Sequence, residues 1–182
     1  FLLHDRDIYM PCDDSVTQIV GSEPYPVRRS RGYVPYPIQL PQEGPSILAA
    51  GPELKNTFCL TKRDQAFLSQ HLGDMENYQT LAAYQEALLH FESLFRADIR
   101  GLAYDLHPNY LATRYALERS EKEGIPAIGV QHHYAHIASC LAENQHPDGK
   151  PVIGFAFDGT GYGDDGHIWG GEVFIADYRG YH

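Results

Sequence analysis

The chain has 182 residues, with 24 Asp and Glu against 14 Lys and Arg, for a formal net charge of −10. That length is enough to bury a core, and 43% apolar with 21% charged residues excludes wholesale disorder. The acidic balance argues against a general nucleic-acid binder, which needs a basic face to neutralise phosphates. No apolar run approaches the ~20 residues of a membrane span, so neither nucleic acid nor a membrane is expected as a partner. Cys12, Cys59 and Cys140 are far apart and form no CxxC pair. A disulfide scaffold or cysteine zinc site is therefore not expected, and a reducing, cytoplasmic location fits best.

The chain opens at Phe1 in a strand-like run, as a segment of a longer polypeptide would. Residues 1–32 hold a further strand-like run at 15–20 and a basic cluster, too little to fold alone. Pro35, Pro37, Pro41 and Pro45 make residues 33–46 read as a semi-rigid linker, because proline favours extended backbone and lacks a ladder donor. Short strands are expected at 47–50, 54–61 and 65–71, the last two separated by an Arg-Asp turn signal. Leu81, Tyr84, Leu88, Phe91 and Phe95 then fall at spacings of 3, 4, 3 and 4, one apolar stripe of an amphipathic helix. A strand at 99–106, a helix at 110–122 closed by Gly124, a strand at 125–130 and a helix at 132–143 follow. Strands at 152–157 and 167–176 flank a glycine-rich loop.

Three hairpin-linked strands followed by alternating helices and strands resemble an α/β, ribonuclease-H-like lobe of the actin-like ATPases. The pattern is βββαβαβα, plus the first hairpin of a second lobe. The expected division is a tail and linker at 1–41, a first lobe at 46–151 and the start of a second lobe at 152–182.

The most pointed segment is Val130-Gln131-His132-His133-Tyr134-Ala135-His136. His132 and His136 share a helix face and can bind one metal ion, whereas His133 is rotated roughly 100° away. A pair of ordinary surface histidines is the alternative. Asp158 ends the next strand and would supply a third ligand. Two imidazoles and a carboxylate with open positions suit Fe(II), Zn(II) or Mn(II).

Asp158-Gly159-Thr160-Gly161-Tyr162-Gly163-Asp164-Asp165-Gly166 contains GxGxxG, but a dinucleotide fingerprint must open a helix and a strand follows here. An EF-hand fails because Thr160 occupies its third position. What remains is either a plain turn or a hairpin whose backbone N–H groups face phosphates. Asp105 and His107 lie at another strand's carboxyl end, where site residues often sit, though a helix-entry loop explains them equally well. Arg28, Arg29 and Arg31, beside Ser30 and Gly32, form either an anion site or a solvated linker.

Taken in order, His4-Asp5-Arg6, Asp13-Asp14-Ser15-Val16, Arg28-Arg29-Ser30-Arg31-Gly32-Tyr33, Leu54-Lys55-Asn56-Thr57, Gln70-His71-Leu72-Gly73-Asp74, Asp105-Leu106-His107-Pro108, Gln131-His132-His133, Asp158 to Gly163 and Trp169-Gly170-Gly171-Glu172 resemble the HypF family. These are the carbamoyltransferases of [NiFe]-hydrogenase maturation. The resemblance implies the tail of a YrdC-like domain, which makes carbamoyl-adenylate from ATP and carbamate, followed by the first part of a Kae1-like transferase domain. It implies ATP and carbamoyl phosphate as substrates and a HypE-type acceptor protein, whose C-terminal cysteine thiol is carbamoylated for cyanide ligand synthesis. Metal ligation and catalysis carry over onto His132, His136 and Asp158, with Fe or Zn as the ion and Mg as a companion of the nucleotide. Nucleotide contacts carry over onto Gly159, Thr160, Gly161 and Gly163, and the adenylate-forming side onto Ser15, Arg28, Arg29 and Arg31.

The family's acylphosphatase-like and zinc-finger parts, most of its YrdC-like domain and a further metal-binding aspartate have no counterpart in these residues. The segment by itself is therefore expected to be inactive. Tyr134 stands where many relatives carry a third consecutive histidine. An antibiotic O-carbamoyltransferase has the same two domain types in the opposite order, and a tRNA threonylcarbamoyl transferase lacks the leading segment. A non-catalytic ATP-binding module of the actin-like superfamily is the alternative from another functional class.

Overall fold

The computed structural model describes residues 3–182. The strand expected at Phe1 begins outside the described residues, and residues 3–8 carry no regular structure. The apolar stripe forms α1 (Tyr78–Phe95), which starts at Asn77, whose side chain accepts the Thr80 N–H. It buries Tyr84, Ala87, Leu88 and Phe91. Phe58 packs edge-on against both Phe91 and Tyr84, with ring centroids 5.0 and 5.6 Å away. The Tyr84 hydroxyl donates to the Ala50 carbonyl at 3.2 Å, so its burial leaves no unpaired O–H.

That core coats one face of a five-stranded sheet, ordered β3-β5-β4-β6-β7: β3 (Ile38–Gly44), β5 (Cys59–Leu68), β4 (Ile47–Ala49), β6 (Gly101–Asp105) and β7 (Ala127–Val130). The first three pair antiparallel, and β4, β6 and β7 run parallel. α2 (Leu111–Glu123) joins α1 in the same core through Ala112 and Ala116. Gly124 ends it in the left-handed conformation, φ 67°, which a residue without Cβ adopts freely. A separate hairpin of β1 (Val16–Val20) and β2 (Glu23–Arg28) precedes the sheet.

The architecture is the expected mixed α/β one, with two corrections to its strands. Residues 38–44 are not linker but the edge strand β3, bonded to β5 through Ile38 and Gln39; an edge position tolerates Pro41. The strands expected at 54–61 and 65–71 are one strand, β5: the chain passes the Arg-Asp pair without turning back, and the left-handed Arg63 (φ 55°) marks only an irregularity in its pairing with β3. The third position of the antiparallel set is thus filled by a segment that precedes β4 in the chain.

α3 (His132–Glu143) leaves β7 and packs its Ile137 and Leu141 on a second, three-stranded sheet. That sheet is ordered β10-β9-β8, from β8 (Val152–Tyr162), β9 (Ile168–Asp177) and β10 (Gly180–Tyr181). β8 continues through the glycines to Tyr162 rather than stopping at Phe157, so the turn is confined to residues 163–167. Among the described residues, no helix is long and apolar enough to cross a membrane.

Candidate metal centre

Gln131 caps α3 by accepting the Tyr134 N–H at 2.8 Å, which fixes the first turn and the direction of the histidines. His132 and His136, four residues apart, project together toward Asp158 on β8. The Nε2 atom of His132 lies 2.8 Å from Asp158 Oδ2 and 3.2 Å from His136 Nε2, and His136 Nε2 lies 3.3 Å from the same carboxylate oxygen. Bonds of about 2.0 Å in a tetrahedral site place ligand atoms about 3.3 Å apart, so this spacing and donor set fit Zn(II) or Fe(II).

The fourth side chain here is Asp105, the last residue of β6. The parallel register sets Asp105 opposite Val130, two residues before His132. Its Oδ2 lies 2.7 Å from His132 Nδ1, on the far side of the ring from Asp158. With a hydrogen bond to Asp105 outweighing burial and Asp158 adding to it, the His132 pKa is raised above the ordinary imidazole value. Burial opposes ionisation of Asp158, yet hydrogen bonds from His132 and from the Gly159 N–H hold its carboxyl below the usual range. His133 points away from this group and is fully buried, with its pKa lowered by burial and then by His132.

Of the expected nucleotide glycines, Gly159 and Gly161 lie in β8 and Gly163 opens the turn that follows it. Pairing with β9 is irregular between Phe157 and Gly161, which leaves Gly159 and Thr160 exposed beside Asp158. Gly161 and Gly163 have packing reasons of their own: a Cβ there would come within 2.3 Å of the His133 ring and 2.2 Å of the Trp169 indole. The Gly163 N–H is taken by the His167 carbonyl.

The arginines separate. Arg28 and Arg29 line a cavity of about 530 Å³ together with Lys55, His71, Ser139 and Glu143. Arg31 instead meets Asp14 at 3.4 Å and the Cys12 carbonyl at 3.2 Å. The Ser15 hydroxyl donates to the Arg31 carbonyl and accepts the Ser30 N–H, both at 2.8 Å. Ser139 and Glu143 continue the α3 face that carries His132 and His136, so one helix face runs from the triad to the arginine cavity. The sequence singled out Asp105 by its strand-end position, but its partner became visible only with the β6–β7 register.

Residues 42–143 match the family model described as the HypF Kae1-like domain. Residues 154–182 match that of the carbamoyltransferase Kae1-like domain, second subdomain. Carbamoyltransferase HypF2 of Cupriavidus necator is 50% identical over 97% of this chain, and carbamoyltransferase HypF of Synechocystis is 46% identical over 94%. The chain spans 22% of the length of each of these curated relatives. A full-length HypF crystallised in a phosphate- and nucleotide-bound form superposes over the whole chain with a TM-score of 0.90 at 46% identity, and the match covers 28% of that structure. HypF of T. kodakarensis superposes over 90% of the chain and 21% of its own, with a TM-score of 0.82 at 43% identity. The chain belongs to the HypF family, as a segment that includes its Kae1-like region.

Proposed function

We propose that this chain is part of a carbamoyltransferase that uses carbamoyl phosphate and ATP to form carbamoyl-adenylate and passes the carbamoyl group to a C-terminal cysteine thiol of a HypE-type acceptor. In this reading the part of 1–41 that precedes β3 is the tail of the adenylate-forming domain, 46–151 together with β3 is the first transferase lobe and 152–182 is the start of the second. The observation that carries the proposal is the convergence of His132 Nε2, His136 Nε2 and Asp158 Oδ2 within 4.8 Å of one another, in a chain of this family.

Water cleaves carbamoyl phosphate to carbamate and inorganic phosphate, and a carbamate oxygen then attacks the α-phosphorus of ATP, with pyrophosphate leaving. In the transfer, the acceptor sulfur forms a C–S bond to the carbamoyl carbon. The C–O bond to the phosphate breaks, AMP departs with that electron pair, and the thiol loses its proton. Carbamate and its adenylate are labile in water, so transfer needs a route that excludes it. His132, His136 and Asp158 would hold a divalent ion, which supplies Lewis acidity toward the carbamoyl oxygen. Gly159 and Thr160, exposed at the irregular stretch of β8, would meet the nucleotide phosphates, with Gly161 and Gly163 shaping that stretch. Arg28 and Arg29 would take the anionic end of the adenylate from the cavity, and Ser15 and Arg31 would hold the segment that presents them.

The test uses the full-length protein and compares wild type with His132→Ala. Carbamoyl-phosphate-dependent exchange of pyrophosphate into ATP is expected in both, with thiol carbamoylation of the acceptor lost only in the variant. Wild type without carbamoyl-dependent exchange overturns the reading.

A further inference from the structure

His132 is held by carboxylates at both ring nitrogens, and the two differ in kind. Asp158 meets Nε2, is one-third exposed and shares its oxygen with His136. Asp105 meets Nδ1, is only 7% exposed and lies outside the cluster of ligand atoms. Its carboxylate is fixed independently of the histidine, because its other oxygen accepts the His107 N–H at 2.9 Å. The Asp105 carbonyl also accepts the Thr113 hydroxyl at 2.8 Å, which ties the end of β6 to α2.

A neutral imidazole carries one N–H and one lone pair, and a metal ligand must present the lone pair. An ionised carboxylate only accepts, so a proton on Nδ1 is the one arrangement that satisfies Asp105 and leaves Nε2 free. Among the described residues His136 has no such partner on Nδ1, and its side chain is 58% exposed. The two ligands are thus unequal: His132 is held at both ring nitrogens, His136 at Nε2 alone.

We propose that Asp105 is the positioning residue of the metal centre, keeping the His132 proton on Nδ1 and its Nε2 lone pair aimed at the point shared with His136 and Asp158. The inference rests on the metal-centre reading of the preceding section. Asp105→Asn tests it with almost no change of shape. The side-chain oxygen of Asn is claimed by the His107 N–H, so the amide N–H group faces His132 Nδ1. That nitrogen must then accept, and the proton moves to Nε2, where it blocks the ligand position. Asp105→Ala leaves the ring free to choose either form.

The experiment measures Zn(II) affinity by chelator competition in the full-length protein, with His132→Ala as the blank that isolates this site. Histidine nitrogen NMR on the zinc-loaded wild type reports which ring nitrogen carries the proton. The expected order of affinity is wild type, then Asp105→Ala, then Asp105→Asn, with a loss on the order of 10–100-fold for Asn. The His132 proton is expected on Nδ1. A residue with a purely structural part would make Ala the weaker binder, and that order overturns the proposal, as does Asn binding zinc like wild type. Wild type taking up no zinc beyond the blank overturns the metal-centre reading, and Asp105 as its positioning residue falls with it. Should the Asn variant fail to fold, wild-type affinity in the Ala variant overturns the assignment.

Discussion

The ring of His133 lies directly against the Cα of Gly161, so that a methyl group added at 161 would sit 2.3 Å from the imidazole. His133 is fully buried, and it seats the first turn of α3 on β8 while its neighbour His132 reaches Asp158. Gly161→Ala is therefore expected to push the helix and strand apart. The expected cost is about 1–3 kcal/mol in denaturant unfolding, together with weaker zinc binding. Unchanged stability would mean that the ring can slide aside without loss.

The metal-free cluster should be sensitive to pH. The His132 pKa is raised above 6.5, so its contribution to stability is fully present below that value and is lost as pH rises through the raised pKa. Asp158 lies below 3.8, so its contribution is present above that value and is lost as pH falls through the lowered pKa. Between these limits, metal-free wild type should exceed His132→Gln in denaturant midpoint by the most. Zinc affinity should move the other way and grow with pH, because the ligand nitrogen must give up its proton. A midpoint difference that stays flat with pH would count against the ion-paired histidine.

Outward side chains of the β8–β9 hairpin form a continuous apolar face. Ile153 pairs with Ile175 and Phe155 with Val173, and all four, with Phe157, are exposed. The other face, Gly154, Ala156, Phe174 and Ala176, is buried, largely on Ile137 and Leu141 of α3. This 182-residue chain is expected to self-associate, and Phe155→Ser with Phe157→Ser should reduce that association in light scattering without lowering the melting temperature. Removing the hairpin is a poorer test, since it would uncover Ile137 and Leu141.

In the larger core, Phe58 touches both Tyr84 and Phe91 and has no exposed surface. Phe58→Ala is expected to cost roughly 3–5 kcal/mol, read from chemical denaturation, because Tyr84 and Phe91 lose the ring that both pack against. A loss below the lower figure would show that α1 can settle into the space.

The helices were legible because their signals are local: the stripe from Leu81 to Phe95, Gly124 as a stop, and the four-residue step from His132 to His136. The strands were less so. The four prolines masked β3, whose partner β5 lies some twenty residues further on, and β5 passes through the Arg-Asp pair that looked like a turn. The run from Gly159 to Tyr162 read as loop because glycine signals backbone freedom, whereas at Gly161 the missing Cβ makes room for His133. Two of the three triad residues were visible as a motif, and Asp158 was reached as a strand end although β8 runs on past it to Tyr162. Asp105 gained its meaning only from the alignment of β6 with β7.

The triad also has a mechanical side. Its histidines stand on the helix that follows the last strand of the five-stranded sheet, while Asp158 belongs to the three-stranded one. An ion held by all three would fasten the start of that helix to β8, and Asp105, bonded to His132, would carry the tie on to β6 of the other sheet.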